Sequence, residues 1–461
     1  MQNTITKAPT AAIYTLGCKV NQYESEAIRE ALVSRGFRMT DFDDDADVYI
    51  INTCTVTAES DRKACQVIRR AARHRDREGR MPCVIVTGCM AQTQADRILA
   101  IEGVSYLCGS RNKLSCVDMA VEFLAARGTD SAAKEPVSAV YNIEALGMEP
   151  MSLKNSGMER TRAYIKIEDG CENHCTYCAI PGARGRVVST APEDVIREVG
   201  ALLENGYREI VLTGIEIASY GRDFKDRTYH LIDLLEDVEN AYPTSPVRYR
   251  LGSMEPTYMK PETVSRMAAL KKLAPQFHLS LQSGADHVLH SMKRKYSMTM
   301  IRAILADIRE KIPDVMFTTD IMTGFPGETE EDAAQTMAFA REARLLHIHV
   351  FPYSRRKNTE ADKMPGQLPN EEKNRRANAL IALQKEIEAD IYRKHGELGG
   401  EVRFLPETYH DGIVTGHTDN FMEVRIPVAK NDAEAVMENK TLRRVRITGA
   451  DELHLTGEFL D

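Results

Sequence analysis

The chain has 461 residues, 43% hydrophobic and 28% charged, which is the balance of a folded protein with room for about three domains rather than of a disordered chain. Sixty basic residues against 68 acidic ones leave a formal charge of -8, which excludes a surface coated in positive charge for nucleic acid but permits local basic patches. No stretch reaches the roughly 18 apolar residues of a membrane span and no signal-peptide core opens the chain, so a cytoplasmic, non-membrane protein is expected, in which ten cysteines point to metal or redox chemistry.

Residues 1–127 alternate short β-rich runs (AIYTLGC, DVYIINTC, CVIVTGC, VSYLCG) with helical ones, an open α/β pattern. The first helix is predicted from Asn21 to Arg35, with Asn21 and Glu24 at capping-box spacing and Gly36 ending it. From Asp61 to Arg80, eight basic residues stand against three acidic ones. Arg62, Lys63, Arg69, Arg70 and Arg73 are therefore candidate phosphate contacts, with a solvated helix face as the plain alternative. Residues 128–160 lose periodicity and collect Gly, Ser, Pro and Lys, as a linker does.

Residues 161–395 contain six apolar, β-branched segments, mostly separated by helical stretches. Six β/α units predict a parallel, partly closed barrel, whose chemistry belongs at the carboxyl ends of its strands. A charged helix over 370–395 follows, with Ala377, Leu380, Ile381 and Leu383 on its apolar stripe. Residues 396–461 read as about five short strands, the size of a small closed all-β barrel.

Cys171, Cys175 and Cys178 stand in C-x3-C-x2-C spacing just after the first barrel strand. Three thiolates so placed can hold three irons of a 4Fe-4S cluster and leave the fourth iron open to a substrate. Zinc would want a fourth ligand, for which His174 lies awkwardly inside the short loop. Cys18, Cys54 and Cys89 each fall at or just past the end of a predicted parallel strand. In an open α/β sheet all three emerge at one edge and can hold a second cluster. Cys65, Cys83, Cys108 and Cys116 lack such placement and read as small buried hydrophobes.

The triplet, with Tyr177 before its last cysteine, resembles the signature of the radical S-adenosylmethionine enzymes. TLGCKVNQYES, INTCTVT and TGCMAQ resemble the amino-terminal motifs of their methylthiotransferase branch, and the carboxyl-terminal barrel is similar to its TRAM domain. The wording LGCKVNQYES and NTCTVT is most similar to the tRNA enzymes that methylthiolate N6-threonylcarbamoyladenosine, the modified base next to the anticodon. The resemblance implies an enzyme with two 4Fe-4S clusters, S-adenosylmethionine as cofactor, tRNA as substrate, an electron donor and a sulfur source. It also implies that Tyr177, Gly214, Glu216, Ser253, Glu255, Gln282, Ser283, Asp320 and Gly324, on or near the triplet and the strand ends, contact S-adenosylmethionine.

Two features depart from the pattern. The family usually has an aromatic residue where Gly182 stands and an arginine near Thr190, which leaves Arg184 and Arg186 as possible phosphate or carboxylate contacts. From Glu397 to Asp461 there are seven basic residues against thirteen acidic ones, a poor balance for gripping tRNA, although Arg444 and Arg446 share one strand face. Rival readings are methylthiolation of isopentenyladenosine in tRNA or of an aspartate in a ribosomal protein and, in another class, a non-catalytic metal protein that binds RNA.

Overall fold

A computed structural model of the chain describes residues 8–76, 79–127, 135–153, 161–438 and 441–460. They fall into two compact units: Met1–Gly157 with Glu168–Asn173 and Cys178–Thr190, and Met158–Ile167 with His174–Tyr177 and Ala191–Asp461.

The first unit is built on six parallel strands in the order β2-β1-β3-β4-β5-β6: β1 (Thr10–Thr15), β2 (Arg38–Met39), β3 (Val48–Thr53), β4 (Cys83–Gly88), β5 (Tyr106–Cys108) and β6 (Val137–Ala139). Every residue of β3 and β4 is buried, as central parallel strands with helices on both faces require. The helices are α1 (Lys19–Ser34), α2 (Ala58–Arg73), α3 (Cys89–Thr93), α4 (Ala95–Leu99) and α5 (Ser115–Ala126). Two separate apolar clusters, one around Val84 and Ile68 and one around Ile50 and Ile28, fill the two faces of the sheet.

Helix α1 begins at Lys19 rather than Asn21, with Cys18 as its N-cap, and the expected Asn21–Glu24 capping box does not form because both side chains are buried in other bonds. Part of the segment read as a linker is also structured: β6 pairs with β5, and Ile143 and Leu153 are buried. An edge strand of three residues, mostly exposed, carries no alternation by which sequence could announce it.

The second unit opens with β7 (Ala163–Lys166), after which the antiparallel ribbon β8 (Glu168–Asp169) and β9 (Val188–Ser189), with helix α6 (Ile180–Arg184), belongs to the first unit. The second unit continues with β10 (Glu209–Thr213), β11 (Arg248–Leu251), β12 (Ser253–Met254), β13 (Gln276–Gln282), β14 (Met316–Thr323) and β15 (His347–Pro352). All pairs are parallel in the orders β11-β10-β7 and β12-β13-β14-β15, and only Gly252 separates β11 from β12. This is the expected six-stranded β/α arc, its third strand broken at the glycine. The helix Asn370–Leu398 buries Ala377, Leu380, Leu383, Ile387 and Ile391, whereas Ile381, placed on the stripe from sequence, is 38% exposed.

The carboxyl-terminal strands β16 (Gly400–His410), β17 (Ile413–Thr418), β18 (Glu423–Pro427), β19 (Arg443–Ala450) and β20 (Leu455–Phe459) close into a barrel in the order β16-β17-β18-β20-β19, as expected. One continuous apolar core runs from the six-stranded arc through Leu383 and Ile391 of the long helix to Phe404, Val424 and Val445 of the small barrel. That helix seals both layers, so the two expected pieces, 161–395 and 396–461, share a single core. No helix among the described residues is long and apolar enough to cross a membrane.

Candidate functional site

In the first unit, Cys18 follows β1, Cys54 directly follows β3 and Cys89 directly follows β4, so three cysteines leave the carboxyl ends of three adjacent parallel strands. Two left-handed glycines bring them there. Gly17 has φ +100°, and a Cβ on it would lie 2.9 Å from the Cys54 sulfur; Gly88 has φ +98°, and a Cβ there would run into the backbone of Thr53. Side chain bonds hold the same edge. Asn21 donates to the carbonyls of Leu16 (2.6 Å) and Thr53 (3.1 Å), and Asn52 donates to the Asn21 carbonyl at 3.0 Å. Burial raises the Cys54 thiol to about 12, helped by the neighbouring Cys89 and Cys18, and burial likewise raises Cys18 against the pull of Arg184. Cys18 still presents accessible surface at the mouth of the edge.

Arg184, the last residue of α6, is wholly buried beside these sulfurs. Its Nε donates to the Cys89 sulfur at 3.2 Å, Nη1 to Glu24 at 2.6 Å and Asp169 at 3.2 Å, and Nη2 to Asn21 at 2.6 Å. Lys113, also fully buried, pairs with Glu24 and donates to Asn52 at 3.0 Å. Burial opposes the charge on Arg184, but Cys89, Glu24 and Asp169 together hold its pKa well above the usual guanidinium value. Arg184 is thus engaged by sulfur and by the carboxylates of Glu24 and Asp169, and its full burial speaks against the phosphate contact expected of it. Arg186 is exposed and donates to the Glu144 carbonyl at 3.4 Å.

The sulfurs of the C-x3-C-x2-C loop have donors of their own. In the first unit the N–H of Asn173 points at Cys171 and that of Ile180 at Cys178, each at 3.4 Å. In the second, Nη1 of Arg294 lies 3.2 Å from the Cys175 sulfur, while its Nε bonds the Tyr296 hydroxyl and Nη2 the Ser280 carbonyl. None of the ten cysteines is joined in a disulfide, and Cys65, Cys83, Cys108 and Cys116 are buried as expected of small hydrophobes. Among the described residues no three such side chains converge as the ligands of a single metal ion would. A cubane cluster instead takes its cysteines at separate corners, and thiols met by N–H donors fit such a group.

At the strand ends of the second unit, the buried Glu216 carboxylate accepts the N–H groups of Glu255 (2.9 Å) and Ala218 (3.3 Å). Glu255 lies 3.7 Å from Arg294. Gly214 follows β10, Ser253 lies on β12, and Gln282 closes β13 at a bulge with φ +69°. Ser283 accepts the Ala285 N–H at 3.2 Å, a helix-entry role, and Gly324 (φ +70°) backs onto Lys373. Tyr177 packs edge-on to Phe325. Asp320 sits inside β14 rather than at its end, 3.3 Å from Nε2 of His278. Sequence reasoning missed Arg294, Lys113 and Asp169, which no local pattern marks.

On the exposed face of α2, Lys63, Arg69 and Arg73 make no ion pair or side chain hydrogen bond among the described residues. Arg62 is bridged to Glu59, and Arg70 pairs with Asp43 at 3.1 Å while lying over the rings of Tyr14 and Phe42. On the small barrel, Arg444 and Arg446 face outward as expected but lie beside Glu401, and Arg446 also bonds Glu458 at 3.0 Å.

The parallel arc with a cysteine triplet at its first strand defines a radical S-adenosylmethionine enzyme, and residues 165–340 match the family described as Radical SAM superfamily. Residues 10–109 match Uncharacterized protein family UPF0004. The chain belongs to the threonylcarbamoyladenosine tRNA methylthiotransferase family: it is 38% identical over 90% of both chains to the Bacillus subtilis enzyme of that name and 34% identical, again over 90% of both, to that of Thermotoga maritima. It is also 32% identical to the tRNA-2-methylthio-N(6)-dimethylallyladenosine synthase of Mycobacterium bovis, over 84% of this chain and 74% of the other. Among solved structures, the radical S-adenosylmethionine methyltransferase TsrM from Kitasatospora setae shares the fold with a TM-score of 0.54, 14% identity and 77% of each chain covered. As a family member the enzyme works with iron-sulfur clusters and S-adenosylmethionine.

Proposed function

We propose that the protein methylthiolates carbon 2 of N6-threonylcarbamoyladenosine in tRNA, with one cluster on Cys171, Cys175 and Cys178 and a second on Cys18, Cys54 and Cys89. The observation that carries this reading is the presence of two separate cysteine triads, one on the barrel's first loop and one along the edge of a different sheet. A single triad would serve radical formation alone. The likeness to relatives named for threonylcarbamoyladenosine supports the choice of base.

When bound, these groups supply what the reaction demands: a non-acidic aromatic C–H is broken by a radical made from S-adenosylmethionine, and a methylated sulfur takes its place. The chain's own part is to position and enclose. Glu216, fixed by two backbone donors, and Glu255, beside Arg294, place polar groups at the strand ends where an amino acid moiety would be held. Arg294 ties the Cys175 sulfur to β13 through Ser280. The exposed cations of α2 suit a phosphate backbone, and an electron donor and a sulfur source complete the cycle.

Nucleoside mass spectrometry of tRNA from a deletion strain tests the reading. The 2-methylthio derivative should vanish and the unthiolated N6-threonylcarbamoyladenosine accumulate. Loss of the isopentenyladenosine derivative instead, or unchanged tRNA with a lighter ribosomal protein, would overturn it.

A further inference from the structure

We propose that Arg184 is a positioning residue for the Cys18–Cys54–Cys89 site, setting through its bond to the Cys89 sulfur the reduction potential of the group held there. The inference rests on the proposed assignment of that triad to a second cluster. Its ground is the way the guanidinium is spent. Arg184 has no exposed surface, and three of its nitrogens are aimed at four named partners: Nε at Cys89 (3.2 Å), Nη1 at Glu24 (2.6 Å) and Asp169 (3.2 Å), Nη2 at Asn21 (2.6 Å).

Burying an arginine costs much unless its charge is matched. The match here involves two cations, Arg184 and Lys113, and two carboxylates, Glu24 and Asp169, all buried. These four side chains balance one another in charge. The Arg184 Nε–H is directed past them at the Cys89 sulfur, the one atom of the set that would bear a metal. A donor on a ligating sulfur draws electron density from it and favours the reduced, more negative state, and in a dry surrounding the positive charge acts the same way. The parts are fixed from four directions: α1 supplies Asn21 and Glu24, β8 supplies Asp169, the chain after β5 supplies Lys113, and α6 ends on Arg184 itself. Cys175 also meets a guanidinium, but that of Arg294, which belongs to the other triad.

The test is a potentiometric titration, followed by electron paramagnetic resonance, of anaerobically reconstituted full-length protein and of its Arg184→Met and Arg184→Lys variants. The parent chain must first show two clusters; fewer would overturn the assignment of the first triad rather than the role of Arg184. With both clusters present, Arg184→Met should shift one potential to more negative values and leave the other unmoved, and Arg184→Lys, which keeps the charge but loses the fork, should shift the same potential less. Both potentials unchanged in either variant would overturn the proposal. So would failure of both variants to fold or to hold the first-triad cluster, which would reduce Arg184 to a structural part.

Discussion

The Glu216 carboxylate accepts the backbone N–H of Glu255 at 2.9 Å, with the Glu255 side chain close enough to repel it. Burial and that repulsion push Glu216 up to about 7 from an ordinary 4.5. A carboxyl with a raised folded-state pKa stabilises the fold fully below its unfolded value and loses that contribution as pH climbs through the folded one. The window is therefore about pH 4.5 to 7, and the loss amounts to at most about 3 kcal/mol. Glu216→Gln in cofactor-free protein should raise the unfolding midpoint at pH 8 and leave it nearly unchanged at pH 4.5. A pH-independent difference between the two proteins would refute the assignment.

Gly88 and Thr53 meet so closely that a Cβ on the glycine would lie 2.7 Å from the Thr53 nitrogen, with φ at +98° besides. Backbone cannot yield as a flexible side chain does, so Gly88→Ala should cost about 1–3 kcal/mol or more and displace Cys89, the next residue. Iron content of reconstituted protein should fall to about half, from about eight to about four. Retention of both clusters would show that the turn is not needed for Cys89.

The fold was legible where its cause is local. The β-branched runs ending in glycine or cysteine became the central strands, and the short alternating segments after Gly396 became the closed barrel. The six cysteines were marked by their spacing and their position at strand ends. The network around Arg184 was not legible, because Arg184 and Glu24 are 160 residues apart and Lys113 and Glu24 are 89 apart. Arginine is so rarely fully buried that an exposed role was the natural reading. Asn21 and Glu24 show the same effect: capping-box spacing and a shared buried bond set look alike in one dimension, and only the N-cap at Cys18 separates them.

The basic face of α2 makes a graded prediction. Lys63, Arg69 and Arg73 are exposed and unpaired among the described residues, whereas Arg70 is engaged by Asp43 and two rings. Reversing the charges of Lys63, Arg69 and Arg73 should weaken tRNA binding and lower the slope of log affinity against log salt by roughly 0.7–0.9 for each phosphate no longer neutralised. Stability should change only slightly, since the three side chains are exposed and their only folded-state ties among the described residues are Lys63 to Glu59 and Arg73 to the last turn of α2. Reversing Arg70 should cost stability as well. Equal salt slopes for the parent and triple variant would make the face an ordinary solvated surface.

The two triads should also separate by chemistry. Cys54 belongs to the apolar cluster of Val84 and Ile68, while Leu212 and Phe277, on the strands that lead to Glu216 and Arg294, belong to another core. Changing the first three cysteines to Ala therefore leaves that second core and the bonds of Arg294 untouched. Such a protein should hold about four irons and still cleave S-adenosylmethionine reductively to 5′-deoxyadenosine, yet yield no methylthiolated tRNA. Changing Cys171, Cys175 and Cys178 instead should abolish 5′-deoxyadenosine while the protein keeps about four irons. Mass spectrometry of the small-molecule products beside iron analysis reads both variants. Loss of 5′-deoxyadenosine from the first variant, in protein shown to retain its four irons, would mean that the triads do not divide the reaction.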